Sequence, residues 1–243
     1  MISLRGKSVL VTGAAKRIGR EIALSFARAG ANVAITFRNS EQDAEKTVQQ
    51  LADLGVESFS MRCDISDELD ARETIAEVVA SFGSLDILVN NAGAYQTVSF
   101  ESLTVPQWSE VFDANVKGAF LMSQAATVPL RKHSGRIINI GSLGGVRPWA
   151  SHAHYCASKA ALHMLTTTMA KALAPEVSVN CVAPGMIDQG ESERNPAMRG
   201  FAEKTPMQRN GSASDVAEAV LFFAAGPRFI TGQILVVDGG LGL

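Results

Sequence analysis

Lys7-Ser8-Val9-Leu10-Val11-Thr12-Gly13-Ala14-Ala15-Lys16-Arg17-Ile18-Gly19 decides the fold. Its apolar run Val9-Leu10-Val11 has the length of a strand buried on both faces. Over residues 17–29 the apolar positions Ile18, Ile22, Leu24, Phe26 and Ala27 suit a helix. Gly13 and Gly19 bracket the turn between them. A glycine loop there lets backbone N–H groups approach a pyrophosphate, and the following helix N-terminus favours the anion. A spaced glycine pair alone is often only a turn. With a strand before it and a helix after it, the pair reads as a dinucleotide site.

Outward from this stretch, strand and helix signals alternate. Strands are predicted at 8–12, 32–37, 57–62, 87–90, 136–140, 178–183 and 234–237. Helices are predicted near 17–29, 41–54, 68–81, 107–132, 153–174 and 214–224. Continuous apolar strands such as Ile87-Leu88-Val89 call for helices on both faces, hence a doubly wound, mostly parallel α/β sheet. The 243 residues suit a single domain, with no linker, repeat or break in composition. Residues 186–207 are polar, contain Gly190, Pro196, Gly200 and Pro206, and lack a clean period. They read as a surface loop, placed to serve as a substrate lid.

Composition narrows the function classes. Hydrophobic residues make up 47% and charged residues 19%, a globular balance. A formal net charge of −2 gives no electrostatic support for binding nucleic acid or an anionic membrane. Cys63, Cys156 and Cys181 are single and follow no zinc or redox spacing, which points to reduced thiols in a cytoplasmic protein. The sequence shows neither a signal-peptide apolar region nor a run of transmembrane length.

The chemistry centres on Tyr155-Cys156-Ala157-Ser158-Lys159, with Ser142 thirteen residues before the tyrosine. On a helix, spacing i, i+4 puts the phenol and the ammonium on one face. A phenol titrates near ~10, and a fixed ammonium beside it is expected to lower that value. Such a pair can pass a proton to an oxygen or nitrogen. Taken alone, it equally fits an interfacial tyrosine and a solvated lysine. His152, His154 and His163 flank the tyrosine and read as core or surface residues, with no metal role.

Taken together, these pieces resemble a classical short-chain dehydrogenase/reductase over essentially the whole chain. The resemblance also rests on Asn90-Asn91-Ala92-Gly93, Asn115-Val116-Lys117-Gly118, Ile138-Asn139-Ile140-Gly141-Ser142, Pro184-Gly185, Thr231-Gly232-Gln233 and Val237-Asp238-Gly239-Gly240. It implies a seven-stranded Rossmann sheet with Tyr155 as proton donor. Lys159 would lower the pKa of Tyr155 and bind the nicotinamide ribose, Ser142 would hydrogen-bond the reacting oxygen, and Asn115 would hold a relay water. It further implies cofactor contacts from Gly13, Lys16, Arg17, Ile18, Gly19, Asn91, Ala92, Gly93, Pro184, Gly185 and Ile187. A homotetramer through the helices near 107–132 and 153–174 is implied as well. Apolar residues around both helices, including Phe120, Leu121, Met122, Leu162, Met164 and Leu165, fit that assembly.

The second strand ends in Thr36-Phe37-Arg38-Asn39-Ser40, without the carboxylate that would favour NAD. Arg38 offers a charged fork for a 2′-phosphate, Asn39 and Ser40 can add hydrogen bonds, and Lys16 adds charge. NADP(H) is therefore expected. By resemblance, Asp64 would bond the adenine amino group and Ile65 would pack on the ring.

For the substrate, two branches of the family compete. Arg17, where most members carry glycine, and Tyr95 resemble pteridine reductases. Ser142 stands where that branch has aspartate, and is what carbonyl reducers use. Carbonyl reduction leads, with 3-oxoacyl carrier thioesters as the substrate proposed by resemblance; Arg131, Lys132 and Arg136 would supply charge for an acidic carrier. A non-catalytic NADP(H) sensor is the contrasting class, and the intact Tyr155, Lys159, Ser142 and Asn115 argue against it.

Overall fold

The computed structural model describes residues 3–188 and 196–243. Seven parallel strands form one sheet: β1 (Ser8–Val11), β2 (Asn32–Phe37), β3 (Ser58–Arg62), β4 (Ile87–Asn90), β5 (Arg136–Ile140), β6 (Ser178–Pro184) and β7 (Ile234–Val237). Their spatial order is β3-β2-β1-β4-β5-β6-β7. Strand order therefore reverses between β1 and β4, which opens a crevice at the carboxyl ends of the strands.

Side-chain alternation splits the core. Val9 and Val11 of β1 and Val33 and Ile35 of β2 pack with Ile22 and Phe26 of α1 (Arg17–Arg28). On the other face, Leu10, Leu88 and Ile137 pack with Ile75 and Val78, which belong to the helix after β3. All these side chains are buried. A period-two strand delivers alternate residues to opposite faces, so runs apolar at every position need both layers of helices.

The remaining helices are α2 (Glu41–Asp53), α3 (Glu68–Phe82), α4 (Val105–Phe112), α5 (Gly118–Lys132), α6 (Ala153–Leu173), α7 (Pro196–Lys204) and α8 (Ala213–Ala225). Two expectations need correction. The helix expected near 107–132 begins earlier, where Thr104 and Gln107 form a capping box, and a π-helical turn at Asp113–Lys117 interrupts it. The segment 186–207 is not simply a loop. Residues 189–195 lie outside the described residues, but α7 is helical and brings Met198 into the interior.

Candidate active site

The glycine loop is built by close approach. Gly13 adopts φ +62°, and a Cβ there would stand 2.8 Å from the backbone of Ala92. A Cβ on Gly19 would run into the side-chain amide of Asn91. That amide donates to the carbonyls of Thr12 and Gly13 at 2.9 and 3.0 Å, tying the turn after β4 to the turn after β1. Lys16 caps α1 without a side-chain hydrogen bond, so the first-turn N–H groups are left for a partner from outside the helix. Arg17 holds a left-handed φ of +56°, which costs a non-glycine residue on the order of 1 kcal/mol.

A cleft of about 660 Å³ opens over this loop, lined among others by Lys16, Arg17, Arg38, Asp64, Ile65 and Asn91. Gly13, Ile18, Gly19, Ala92 and Gly93 also line it. Asn39 and Ser40 are not among its lining residues: Asn39 is exposed and Ser40 sits at the N-terminus of α2. Lys16 is engaged with Asp43 at 3.5 Å on the surface. Hydrogen bonding from Ser66 chiefly holds the Asp64 carboxyl below its ordinary range, helped by the charges of Arg38 and Lys117. Ile65 is buried against Gly118. The glycine cradle, unmet helix amides and basic side chains fit a nicotinamide dinucleotide.

Tyr155 and Lys159 share one face of α6, four residues apart as the spacing requires. The Lys159 ammonium lies 5.9 Å from the centre of the Tyr155 ring and donates to the Ile140 carbonyl at 2.8 Å. Lys159 is buried, and desolvation lowers its pKa to about 8. Tyr155 departs from the expected lowering. Burial pushes its phenol up to about 12, opposed by the neighbouring Ser142 hydroxyl, because the low-polarity surroundings penalise the phenolate. The phenol is thus protonated at neutral pH and suited to act as an acid. Ser142 is buried after β5, and its Oγ accepts from the Gly144 N–H at 3.0 Å.

Asn115 sits within the π-helical turn. Its Oδ1 accepts from the Ala94 N–H at 2.8 Å, and its Nδ2 donates to the Ala94 carbonyl at 3.0 Å and to Ser158 Oγ at 2.9 Å. The side chain therefore ties the loop after β4 to α6. A Cβ on Gly93 would stand 2.6 Å from Asn115 Oδ1, which explains the glycine ending Asn90-Asn91-Ala92-Gly93.

Beyond the phenol a second cavity of about 690 Å³ continues, lined by Ser142, Tyr155, Lys159, Asn115, Pro184, Gly185 and Ile187 together with Arg17. Tyr95 and Trp149 flank the donor. The Tyr95 ring is edge-on to Tyr155 at 4.9 Å, and Trp149 lies nearly parallel to it at 6.3 Å. Met198 and Phe201 of α7 close the far side. Sequence reasoning missed Trp149 and the roles of two histidines. His152 reaches Tyr95, and His163 packs beneath Gly141 and Gly145, its Nε2 3.5 Å from the Ser142 N–H. Their position around Tyr155 was the signal available.

A family model described as enoyl-(acyl carrier protein) reductase matches residues 13–242. The 3-oxoacyl-[acyl-carrier-protein] reductase FabG of Staphylococcus epidermidis is 40% identical, over 97% of this chain and 98% of that protein. The chain belongs to the short-chain dehydrogenase/reductase family. An uncharacterized oxidoreductase of Methylorubrum extorquens is 34% identical over 99% of this chain and all of its own length. Among solved structures, a 7α-hydroxysteroid dehydrogenase complexed with NADH and 7-oxo glycochenodeoxycholic acid superposes with a TM-score of 0.93. It is 33% identical and covers 98% of this chain and 95% of its own. Short-chain dehydrogenase/reductases are oxidoreductases that use a nicotinamide cofactor. The seven-stranded Rossmann sheet expected from the sequence is the one found. Among the described residues, no helix is long and apolar enough to cross a membrane.

Proposed function

We propose that this protein is an NADP(H)-dependent ketoreductase acting on a 3-oxoacyl type of carbonyl substrate. The observation that carries the reading is a buried serine hydroxyl, Ser142, lining the same cavity as the Tyr155 phenol. A hydroxyl stays neutral and can hydrogen-bond a carbonyl oxygen without repelling the negative charge that develops there. Similarity to 3-oxoacyl-[acyl-carrier-protein] reductases over nearly the whole chain supports the same substrate class.

When bound, NADPH supplies the hydride. Gly13, Ile18, Gly19, Asn91, Ala92 and Gly93 would hold its pyrophosphate side, with Arg17 and Lys16 adding charge. Arg38 would take the 2′-phosphate, since β2 ends without a carboxylate. Asp64 and Ile65 would meet the adenine, and Pro184, Gly185 and Ile187 the nicotinamide end. Ser142 orients the substrate oxygen, and Tyr155 gives it a proton as the carbonyl carbon becomes tetrahedral. Lys159, still largely protonated at neutral pH, holds positive charge near the phenol and stabilises the phenolate left behind. Asn115 braces the loop after β4 against α6 and so fixes Tyr155, and a relay water would be held beside it.

Exposed Phe120 on α5 and Met164 on α6 support a homotetramer through these helices, while Leu121, Met122 and Leu162 are already buried within the chain. We place the protein in the cytoplasm, acting on a small molecule without nucleic-acid or membrane partners. Pterin reduction is the second reading, favoured by Arg17 and Tyr95 lining the substrate cavity. NADPH and NADH consumption with a 3-oxoacyl thioester, a simple ketone and an oxidised pterin tests both. Preference for NADPH and for the thioester or ketone is expected. Efficient pterin reduction with every carbonyl compound ignored would reverse the order.

A further inference from the structure

Tyr95 stands in the loop after β4, in no regular element, and more than half of its surface is exposed. Burial cannot fix such a ring, yet it meets Tyr155 edge-on with centroids 4.9 Å apart. What reaches its hydroxyl is His152, whose Nε2 lies 2.7 Å from Tyr95 Oη. His152 is buried at the N-terminus of α6, three residues before Tyr155. Its remaining polar contacts are Thr97 Oγ1 at 3.0 Å from Nε2 and Ser151 Oγ at 3.1 Å from Nδ1. A neutral imidazole has one donor and one acceptor nitrogen. The short contact to a phenol, a better donor than an alcohol, assigns Nε2 as acceptor and Nδ1–H as donor to Ser151. Burial chiefly lowers the basicity of His152, which keeps that acceptor available. The loop is separately tied by the Val98 N–H to the Ser151 carbonyl at 2.9 Å, so losing the imidazole frees the Tyr95 ring rather than the backbone.

We propose that His152 is a positioning residue: through Tyr95 it fixes the substrate wall edge-on to the ring of Tyr155, and the two together decide which carbonyl compounds reach the phenol. The proposal rests on the carbonyl-reduction reading above. Substrates with a bulky group beside the ketone must pass this wall, whereas a small diketone need not touch it.

The test is a double-mutant cycle of His152→Ala and Tyr95→Phe, assayed with ethyl benzoylacetate and with diacetyl. Each single variant is expected to raise KM for the aryl ester roughly two- to tenfold, the effect of one lost hydrogen bond, and to raise it by more than KM for diacetyl. The double variant should match the singles, because both remove the same contact. NADPH affinity and melting temperature should hold, and His152→Gln, whose amide can reach the phenol, should recover most of the KM. Additive losses would overturn the proposal. So would an equal loss on both substrates accompanied by weaker NADPH binding or a lower melting temperature. If His152→Ala does not fold, Tyr95→Phe decides alone, since it deletes only one hydroxyl; no change in its KM would overturn the proposal. Wild-type silence toward every carbonyl compound would sink the functional reading and this one with it, whereas failure in the variants alone sinks only this one.

Discussion

The ammonium of Lys159 is anchored to the carbonyl oxygen of Ile140 at 2.8 Å, inside the protein where α6 crosses the end of β5. Its depth explains why desolvation brings its pKa down to about 8.

The pH profile should follow this group. In the proposed reaction kcat/KM reports the free enzyme, so it should fall as pH rises through about 8 and the ammonium is lost, while Tyr155 remains protonated up to about 12. On stability, Lys159 acts with its own sign. Between about 8 and the ordinary 10.5 the unfolded chain holds more protons than the native one. Its contribution is therefore full above the unfolded value and is lost as pH falls through about 8. Rates and melting temperatures measured over this range in one buffer series check both signs.

Gly19→Ala should weaken both fold and cofactor site. Elsewhere in a helix alanine would gain about 1 kcal/mol over glycine. Here the new methyl meets the Asn91 amide and displaces it from the carbonyls of Thr12 and Gly13. We expect a net loss of about 1–3 kcal/mol in denaturant unfolding and a weaker NADPH Kd by fluorescence titration.

Arg38→Ala should raise KM for NADPH roughly ten- to a hundredfold, as for a lost charged hydrogen bond of about 1.5–3 kcal/mol, and leave NADH nearly untouched. Steady-state kinetics with both dinucleotides measure it. Wild-type preference for NADH would remove the assignment.

Ser142→Asp should impair ketone reduction, because a carboxylate beside Tyr155 raises the phenol pKa further and repels a developing alkoxide. Turnover of a 3-oxoacyl thioester should drop at least tenfold, on the scale of about 1.4 kcal/mol per factor of ten. Parallel assays with an oxidised pterin show whether the carboxyl group moves activity toward a ring nitrogen.

The central strands were legible because they are apolar runs whose side chains enter both faces of the sheet; Ile87–Asn90 and Arg136–Ile140 lie where the runs place them. The paired faces of Tyr155 and Lys159 followed from helical spacing alone. The π-helical turn around Asn115 was not legible, since one widened turn leaves residues 107–132 looking helical throughout, and the Asn115 bonds to Ala94 and Ser158 join segments far apart in the chain. Polar residues and Gly200 hid α7, whose Met198 and Phe201 face the cavity at helical spacing. The raised phenol pKa of Tyr155 depends on burial, which spacing does not report. His152 meets Tyr95 and Thr97 across 57 and 55 residues of chain, a separation no local pattern encodes.

Turnover by Tyr155→Phe tests the central claim most directly. NADPH oxidation with a 3-oxoacyl thioester would be compared in wild type and variant, with NADPH affinity titrated in both. The account predicts reduction by wild type, loss of at least ~100-fold in kcat when the donor proton is removed, and NADPH affinity within about twofold of wild type. Turnover unchanged in Tyr155→Phe would contradict it.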